Sequence, residues 1–317
     1  MQKKKWQMAA GILALSMLAA CGGDGDDSGT QGDGGGTPDG EPAAPYTAEQ
    51  VKWYGHESAF TALSISRVGL LLTSVALETA GTNPSGPQAC PGGGTFTAAV
   101  DDADSNEDLS AGDSVTLNFA GCFLPDDMQA DGQVKVTLTE LNGQFADETD
   151  AFDAHAELVL TNLLLDGETT VNGTLAMVLA HDTKDTPDTT DDTDTVTTHA
   201  GSLALTEPDS DYTNQITGYE SEIVFDYATQ GITFTKADYT AKGSGDPILG
   251  QFDYKVSLDP SVIVDAEFIP SSGKVKAVTA TETITTTFAT EDDGTSVTVT
   301  SSSGTTSTMS LEEFDDL

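Results

Sequence analysis

From residue 95 onward, apolar and polar residues alternate with a period of two, and this alternation constrains the fold more than any other feature of the chain. Successive side chains of a strand point to opposite faces, so the pattern places an apolar face on a core and a polar face in water. The pattern predicts a mainly β fold of roughly 10 to 13 antiparallel strands, arranged as a meander, a sandwich or a partly open barrel. The clearest runs are Val115/Leu117/Phe119, Val134/Val136/Leu138, Leu175/Met177/Leu179, Phe252/Tyr254/Val256/Leu258 and Val262/Val264/Ala266/Phe268.

A helical segment precedes the strands. Thr47 to Gln50 read Thr-Ala-Glu-Gln, which is the pattern of a capping box at a helix N-terminus. We expect a helix that is interrupted near Gly55 or Gly69 and that covers one face of the sheet. Its apolar residues at helical spacing are Phe60, Leu63, Leu71, Leu72 and Val75. Polar residues interrupt this stretch, so a second membrane span is not expected.

The N-terminus has the layout of an export signal. Three lysines, Lys3 to Lys5, precede an apolar run from Met8 to Ala20. The run ends in Leu-Ala-Ala before Cys21, which resembles the lipobox of bacterial lipoproteins. That resemblance implies a diacylglycerol thioether and an N-acyl group on Cys21, and Gly22 after the cysteine favours the outer membrane. The chain would then be anchored to the membrane by lipid, facing the periplasm or the cell surface.

Composition divides the chain into three parts. Residues 1–20 are the predicted signal peptide, and residues 21–45 are a lipidated, acidic, glycine-rich tether with little to bury. Residues 46–317 form one predicted β-rich domain, helical over 46–80 and composed of strands over 95–310. The final segment, residues 281–310, is rich in Thr and Ser, so its strands are expected to be sheet edges or partly disordered.

The charge of the chain restricts its partners. With 12 basic and 52 acidic side chains, the formal net charge is −40. Nucleic acid is therefore not expected as a partner, and divalent cations or basic partners are favoured. The ligand class stays open among protein, glycan and lipid.

Three cysteines are present. Lipidation would use Cys21, which leaves Cys90 and Cys122 as one pair in a compartment where disulfides persist. We therefore expect a Cys90–Cys122 disulfide.

One loop has the spacing of a metal site. Within the twelve residues 102–113, oxygen-bearing side chains stand at positions one, three, five, nine and twelve, with an apolar residue at position eight. This spacing resembles calcium loops of the EF-hand and dockerin type, which surround Ca²⁺ with 6 to 8 oxygens. The resemblance implies direct ligation by Asp102, Asp104, Asn106 and Asp113, a backbone carbonyl ligand from Asp108, and Ser110 bound through water.

The loop departs from that family at two positions. Glu107 stands where a glycine is usual, and Asp113 stands where a longer glutamate is usual. A solvated acidic hairpin turn near the disulfide therefore remains an open alternative. A second acidic stretch, from His181 to Asp194, lacks regular spacing and is expected to be a solvated hairpin loop.

Catalytic motifs are missing from the sequence. The four histidines are scattered, and the chain has no Cys-x-x-Cys, no Gly-x-Ser-x-Gly and no phosphate-binding loop. His56 and Glu57 begin like a metalloprotease motif, but Phe60 stands where the second histidine belongs. We therefore expect a non-enzymatic binding or surface-structural module of the cell envelope, stabilised by Ca²⁺. Two alternatives stay open: a carrier of lipid in a groove between helix and curved sheet, and a hydrolase whose site is assembled from distant residues.

Overall fold

The computed structural model describes residues 44–82, 84–106, 109–124, 128–143, 151–184, 191–208, 210–265, 268–291 and 294–317. The signal segment, Cys21 and Asp108 lie outside these residues. Within the described residues, helix α1 (Ala48–Thr82) comes first, fifteen strands follow, and the short helix α2 (Leu311–Asp315) comes last. The strands are β1 (Gln88–Ala89), β2 (Thr95–Asp101), β3 (Ser114–Phe123), β4 (Gln129–Asn142), β5 (Phe152–Leu165), β6 (Thr169–Asp182), β7 (Thr193–Thr206), β8 (Thr213–Asp226), β9 (Gly231–Asp246), β10 (Gly250–Leu258), β11 (Val262–Val264), β12 (Pro270–Val278), β13 (Thr283–Glu291), β14 (Gly294–Ser301) and β15 (Thr306–Ser310).

All fifteen strands form one antiparallel sheet in which neighbours in sequence are neighbours in space. The one departure is that β10 and β11 lie end to end in the row between β9 and β12. The predicted mainly β, antiparallel fold with an N-terminal helix packed on it is confirmed, and of the arrangements left open by the sequence the strand order is that of a meander. The strand count exceeds the predicted range partly because β1, with two residues, is too short to show an alternating pattern. The alternating run predicted from Val262 to Phe268 forms only the three-residue strand β11 (Val262–Val264), and Ala266 lies outside the described residues.

The alternating runs place their apolar residues in the core, as predicted. In β3, Val115, Leu117 and Phe119 are buried, and in β10 the side chains of Phe252 and Tyr254 are buried. Threonine and charged residues occupy the opposite face of these strands, so one face of the sheet is exposed to solvent.

Helix α1 is continuous through both glycines at which we expected an interruption, so that prediction was wrong. A Cβ atom at Gly55 would lie 2.5 Å from Cγ1 of Val299, and one at Gly69 would lie 2.8 Å from Sδ of Met177. The glycines are therefore points where the sheet approaches the helix backbone, not points where the helix breaks.

Hydroxyl groups of the sheet bind backbone carbonyls of α1. The carbonyl of Gly55 accepts a hydrogen bond from Thr286 of β13 at 3.1 Å. The carbonyls of Ser58 and Ala62 accept from tyrosine hydroxyls of β9 and β8, at 2.9 Å and 3.1 Å. Together with the contact of Gly69 with β6, these contacts show that α1 crosses the sheet from its C-terminal strands toward its N-terminal strands.

The side of α1 that faces the sheet consists mainly of small residues, which permit this close approach: Gly55, Ser58, Ala59, Ala62, Ser66, Gly69, Thr73 and Ala76 are all buried. Of the apolar residues expected to form the packing face, Leu71 and Leu72 are buried, whereas Phe60 is 43% exposed. The sequence interpretation of that face was therefore only partly right. By length and composition α1 is apolar enough to cross a membrane, but half of its most apolar window is buried within the fold.

The predicted disulfide between Cys90 and Cys122 is confirmed, with Cα atoms 5.5 Å apart. It ties the segment before β2 to the end of β3. Within the Thr/Ser-rich C-terminal segment, β13 and β14 are internal strands and β15 is an edge. Helix α2 follows β15, and its buried Phe314 contacts the rings of Phe288 and His56, with centroids 6.1 Å and 5.3 Å away.

Candidate metal centre

The loop between β2 and β3 is held against β4 by backbone hydrogen bonds. The N–H of Gly112 donates to the carbonyl of Leu138 at 2.7 Å, and the N–H of Leu138 donates to the carbonyl of Asp113 at 2.9 Å. Gly112 has a φ of +103°, a conformation that a side chain rarely tolerates. The C-terminal end of the loop is therefore fixed to the sheet.

The buried side chain of Asp113 holds the loop in place through hydrogen bonds. This side chain is 6% exposed, and both carboxylate oxygens accept hydrogen bonds from the loop backbone. Oδ1 accepts from the N–H of Ala103 at 2.9 Å, and Oδ2 accepts from the N–H of Ser110 at 2.7 Å. A carboxylate with such donors is oriented before any ligand arrives, while lone pairs remain on its oxygens.

Two further carboxylates converge on Asp113. One oxygen each from Asp102, Asp104 and Asp113 lies within 4.8 Å of the other two. Asp102 accepts from the N–H of Ser105 at 2.6 Å, which stabilises a tight loop in which Ser105 has a φ of +59°. Asp104 accepts from the side chain of Asn106 at 2.9 Å.

The spacing of these oxygens suits one Ca²⁺ ion. Ca²⁺ binds oxygens at about 2.3 to 2.6 Å, so two oxygens on the same ion are at most about 5 Å apart. Without a cation, three carboxylates at this separation repel one another, because each pair of charges near 4 Å costs about 1 kcal/mol in water and more at a protein surface. Lys184, Lys236 and Lys276 form ion pairs with other carboxylates, namely Asp182, Glu220 and Asp259.

Five of the six residues implied by the calcium-loop resemblance come together in the structure. Asp102, Asp104 and Asp113 supply the converging carboxylates, with Asn106 and Ser110 hydrogen-bonded to Asp104 at 2.9 and 3.3 Å. The sixth, Asp108, lies outside the described residues.

A second carboxylate cluster is buried at the end of β6 and the start of β7. His181 is 6% exposed and Asp192 is 2% exposed, so the expectation of a solvated loop was wrong for both. Nδ1 of His181 lies 2.7 Å from Oδ1 of Asp194, and Nε2 lies 3.6 Å from Oδ2 of Asp192. Tyr227 donates to the other oxygen of Asp194 at 2.8 Å. Both ring nitrogens of this imidazole therefore face carboxylates.

A third polar cluster lies under the N-terminal half of α1. Oε1 of Glu57 accepts hydrogen bonds from the hydroxyl of Tyr212 at 2.9 Å and from the amide of Asn214 at 3.2 Å. Burial raises the pKa of Glu57. Its neighbour His56 packs against Phe60, with ring centroids 5.9 Å apart, and burial lowers the pKa of His56 to about 4. His56 and Glu57 therefore serve packing and hydrogen bonding in α1.

Sequence reasoning missed both of these clusters. Asp192 and Asp194 stand in a run of acidic and threonine residues that gives no sign of burial. The available signal was Glu57, a charged residue of a helix expected to pack on the sheet, where a charged group requires a polar partner.

Two surface clefts lie away from the helix–sheet interface. One, of about 420 Å³, lies between the β5–β6 and β7–β8 turns, where Glu168 and Glu207 line it. The other, of about 210 Å³, lies beside the β15 edge and is lined by Glu291, Thr308 and Met309 among others.

No protein-family model, curated protein or solved structure matches this chain.

Proposed function

We propose that the chain is an outer-membrane lipoprotein whose β domain is a non-enzymatic binding or surface-structural module of the cell envelope, stabilised by Ca²⁺. The observation that carries the calcium assignment is the convergence of carboxylate oxygens from Asp102, Asp104 and Asp113 within 4.8 Å. Membrane attachment is supported by the lipobox ending at Cys21.

Ca²⁺ at this loop would act on the fold. Asp102 follows β2 directly and Asp113 precedes β3 directly, so an ion bound to both joins the two strand ends. Because such an ion binds only the folded loop, it stabilises the domain by mass action. A site of this kind favours an environment with millimolar Ca²⁺, which is found outside the cell.

A non-enzymatic role is supported by the arrangement of the titratable groups. His181 is held between two carboxylates, and His56 is held between aromatic rings. The carboxylates of the β2–β3 loop are bound to backbone N–H groups of the same loop, as in a structural cation site.

The calcium proposal is tested by thermal unfolding of the full-length protein in EDTA and then in about 10 mM Ca²⁺. For a dissociation constant near 10⁻⁴ to 10⁻³ M, the midpoint is expected to rise by about 3 to 8 °C. In Asp104→Asn the rise should disappear. The matched control is Asp211→Asn, which removes the same charge from an exposed position outside the loop and should keep the full rise.

Two outcomes would contradict the calcium proposal. The first is a wild-type midpoint that does not respond to Ca²⁺. The second is an equal rise in wild type and Asp104→Asn, which would mean that Ca²⁺ acts through the general negative charge of the protein.

The lipid anchor is tested separately by metabolic labelling with radioactive palmitate. Wild type is expected to incorporate label and to fractionate with the outer membrane, and Cys21→Ser is expected to lose both properties. Labelling of Cys21→Ser at the wild-type level would refute the assignment of the anchor.

The alternative of a lipid carrier requires an apolar groove between α1 and the sheet. A Cβ atom at Gly55 would lie 2.5 Å from Val299 and one at Gly69 would lie 2.8 Å from Met177, so the helix backbone is in direct contact with the sheet at both glycines. Those contacts fill the interface at both points, so we do not propose a carrier as a second function.

A further inference from the structure

The sheet ends at β15, a five-residue strand whose sequence and pairing contain no charge, proline or bulge that would block its outer edge. Thr306 to Ser310 read Thr-Ser-Thr-Met-Ser, without a charge or a proline. β15 pairs with β14 over five consecutive residues without a bulge. Charges, prolines and bulges are the usual means of blocking an edge from a further strand. Among the described residues, β14 is the one strand with which β15 pairs.

The geometry of the β14–β15 hairpin shows which backbone groups face outward. The N–H of Ser301 donates to the carbonyl of Thr305 at 2.8 Å, which makes this a hydrogen-bonded pair. Such pairs alternate along an antiparallel ladder, so Ser307 and Met309 direct their backbone groups toward β14. Thr306 and Thr308 therefore direct their N–H and carbonyl groups away from the sheet.

A cleft for a side chain accompanies this edge. It has a volume of about 210 Å³ and is lined by residues of β14, β15 and the C-terminal end of β13, among them Glu291 and the half-buried Met309. A bare strand edge with an adjoining side-chain cleft is the arrangement by which proteins bind an extended peptide, because main-chain bonds supply affinity and the cleft supplies selectivity.

Helix α2 gives this edge a strong negative charge. Phe314 anchors α2 to the sheet, and the exposed Glu312, Glu313 and Asp316 follow directly from the end of β15. Ser310 and Glu313 form a capping box that fixes the helix at this point. The charge around the edge therefore favours a basic segment and disfavours a second copy of this acidic chain.

We propose that the β15 edge binds an extended, lysine- or arginine-bearing segment of another protein, which pairs with Thr306 and Thr308 as an additional strand. One basic side chain of that segment enters the cleft beside Glu291. This interaction is independent of the calcium loop, which lies at the opposite end of the strand order.

The test uses the full-length protein and two acetylated seven-residue peptides, one of alternating lysine and valine and one of alternating glutamate and valine. The lysine peptide is expected to bind saturably, more weakly at high salt, and to slow amide exchange at Thr306 and Thr308. Thr308→Pro, which removes one outward N–H, should weaken binding about tenfold. The matched control, Thr308→Ala, keeps that N–H and should bind like wild type.

A second pair of variants tests the charge without altering the edge. Glu291→Gln combined with Glu312→Gln should weaken binding of the lysine peptide several-fold, whereas Glu168→Gln combined with Glu207→Gln, at the other cleft, should not. The proposal is overturned if the lysine peptide does not bind, if both peptides bind equally, or if exchange at Thr306 and Thr308 slows with protein concentration alone, which would identify a second copy as the partner.

Discussion

Replacement of three glycines of α1 by alanine, one at a time, tests how closely the helix lies on the sheet. The chemical change is the same at Gly55, Gly69 and Gly81, and alanine improves the intrinsic stability of a helix by about 1 kcal/mol at an interior position. What differs is the space around the added methyl group. The structure therefore predicts three different outcomes for one substitution.

At Gly55 the methyl group would lie 2.5 Å from Cγ1 of Val299 and 2.9 Å from Oγ1 of Thr286. Val299 is fully buried and β-branched, so it has little freedom to turn away. The helix cannot retreat without loss of the hydrogen bond from Thr286 to the Gly55 carbonyl. Overpacking of this kind costs about 1 to 3 kcal/mol, which outweighs the helical gain and leaves Gly55→Ala destabilised by about 1 to 2 kcal/mol.

At Gly69 the nearest atom is Sδ of Met177 at 2.8 Å, the middle of a flexible side chain that can adjust. Gly69→Ala should therefore stay within about 1 kcal/mol of wild type. At Gly81 no atom lies within 4 Å of the position that an added methyl group would occupy, so Gly81→Ala should gain up to about 0.5 to 1 kcal/mol.

The assay is urea unfolding at 25 °C, followed by circular dichroism, with thermal midpoints as a second measure. Each kcal/mol should shift the midpoint by about 2 to 4 °C in a domain of this size. The expected order of stability is Gly81→Ala, then Gly69→Ala, then Gly55→Ala. A Gly55→Ala variant as stable as Gly81→Ala would refute the contact of α1 with β14.

Three further predictions concern buried groups. His181→Ala should destabilise the fold by about 3 to 5 kcal/mol in urea unfolding, because it leaves the buried carboxylate of Asp192 without its partner, whereas His155→Ala, at a partly exposed pair, should cost less than about 1 kcal/mol. Burial raises the pKa of Glu57, so Glu57 keeps its proton to higher pH in the folded state than in the unfolded chain, and the free energy of unfolding falls as pH rises through the folded pKa. Glu57→Gln should reduce this pH dependence of the free energy of unfolding, measured from pH 4 to 9. A pH dependence equal to that of wild type would contradict the prediction. Reduction of the disulfide that closes a 32-residue separation should lower the free energy of unfolding by about 3 to 4 kcal/mol, measured with and without dithiothreitol.

The strands were predicted well because the alternation of apolar and polar residues along a strand directly indicates which side chains are buried. Val134, Val136 and Leu138 of β4 are buried, and exposed Lys135 lies between two of them. β1, with two residues, is too short to alternate and gave no comparable signal. Its existence depends on its pairing with β2.

The helix was predicted less well, because its packing face was inferred from large apolar residues. In the structure the hydroxyls of Tyr219 and Tyr239 reach carbonyls of α1, which requires small residues on that side of the helix. Phe60 is left at the surface. The large tyrosine side chains of β8 and β9 determine which side of α1 faces the sheet, and these tyrosines lie more than 150 residues from the helix positions that they contact.

The candidate metal loop was found from spacing alone, since its ligands are close in sequence. Its anchoring to Leu138 of β4 was not predictable, because that contact depends on strand register. The cluster of His181, Asp192 and Asp194 was not predicted for the same reason. It forms when β6 and β7 pair, and nothing in the local sequence of either strand indicates that these residues meet.

The path of α1 across the sheet has a consequence for the order in which the chain acquires structure. A meander can form hairpin by hairpin as the chain emerges N-terminus first, since each strand finds its partner nearby in sequence. The N-terminal turns of α1 emerge before any of these strands, yet Gly55 is covered by Thr286, 231 residues later. The helix around Gly55 therefore stays exposed until almost the whole chain has emerged, and it is the segment on which a chaperone would act longest.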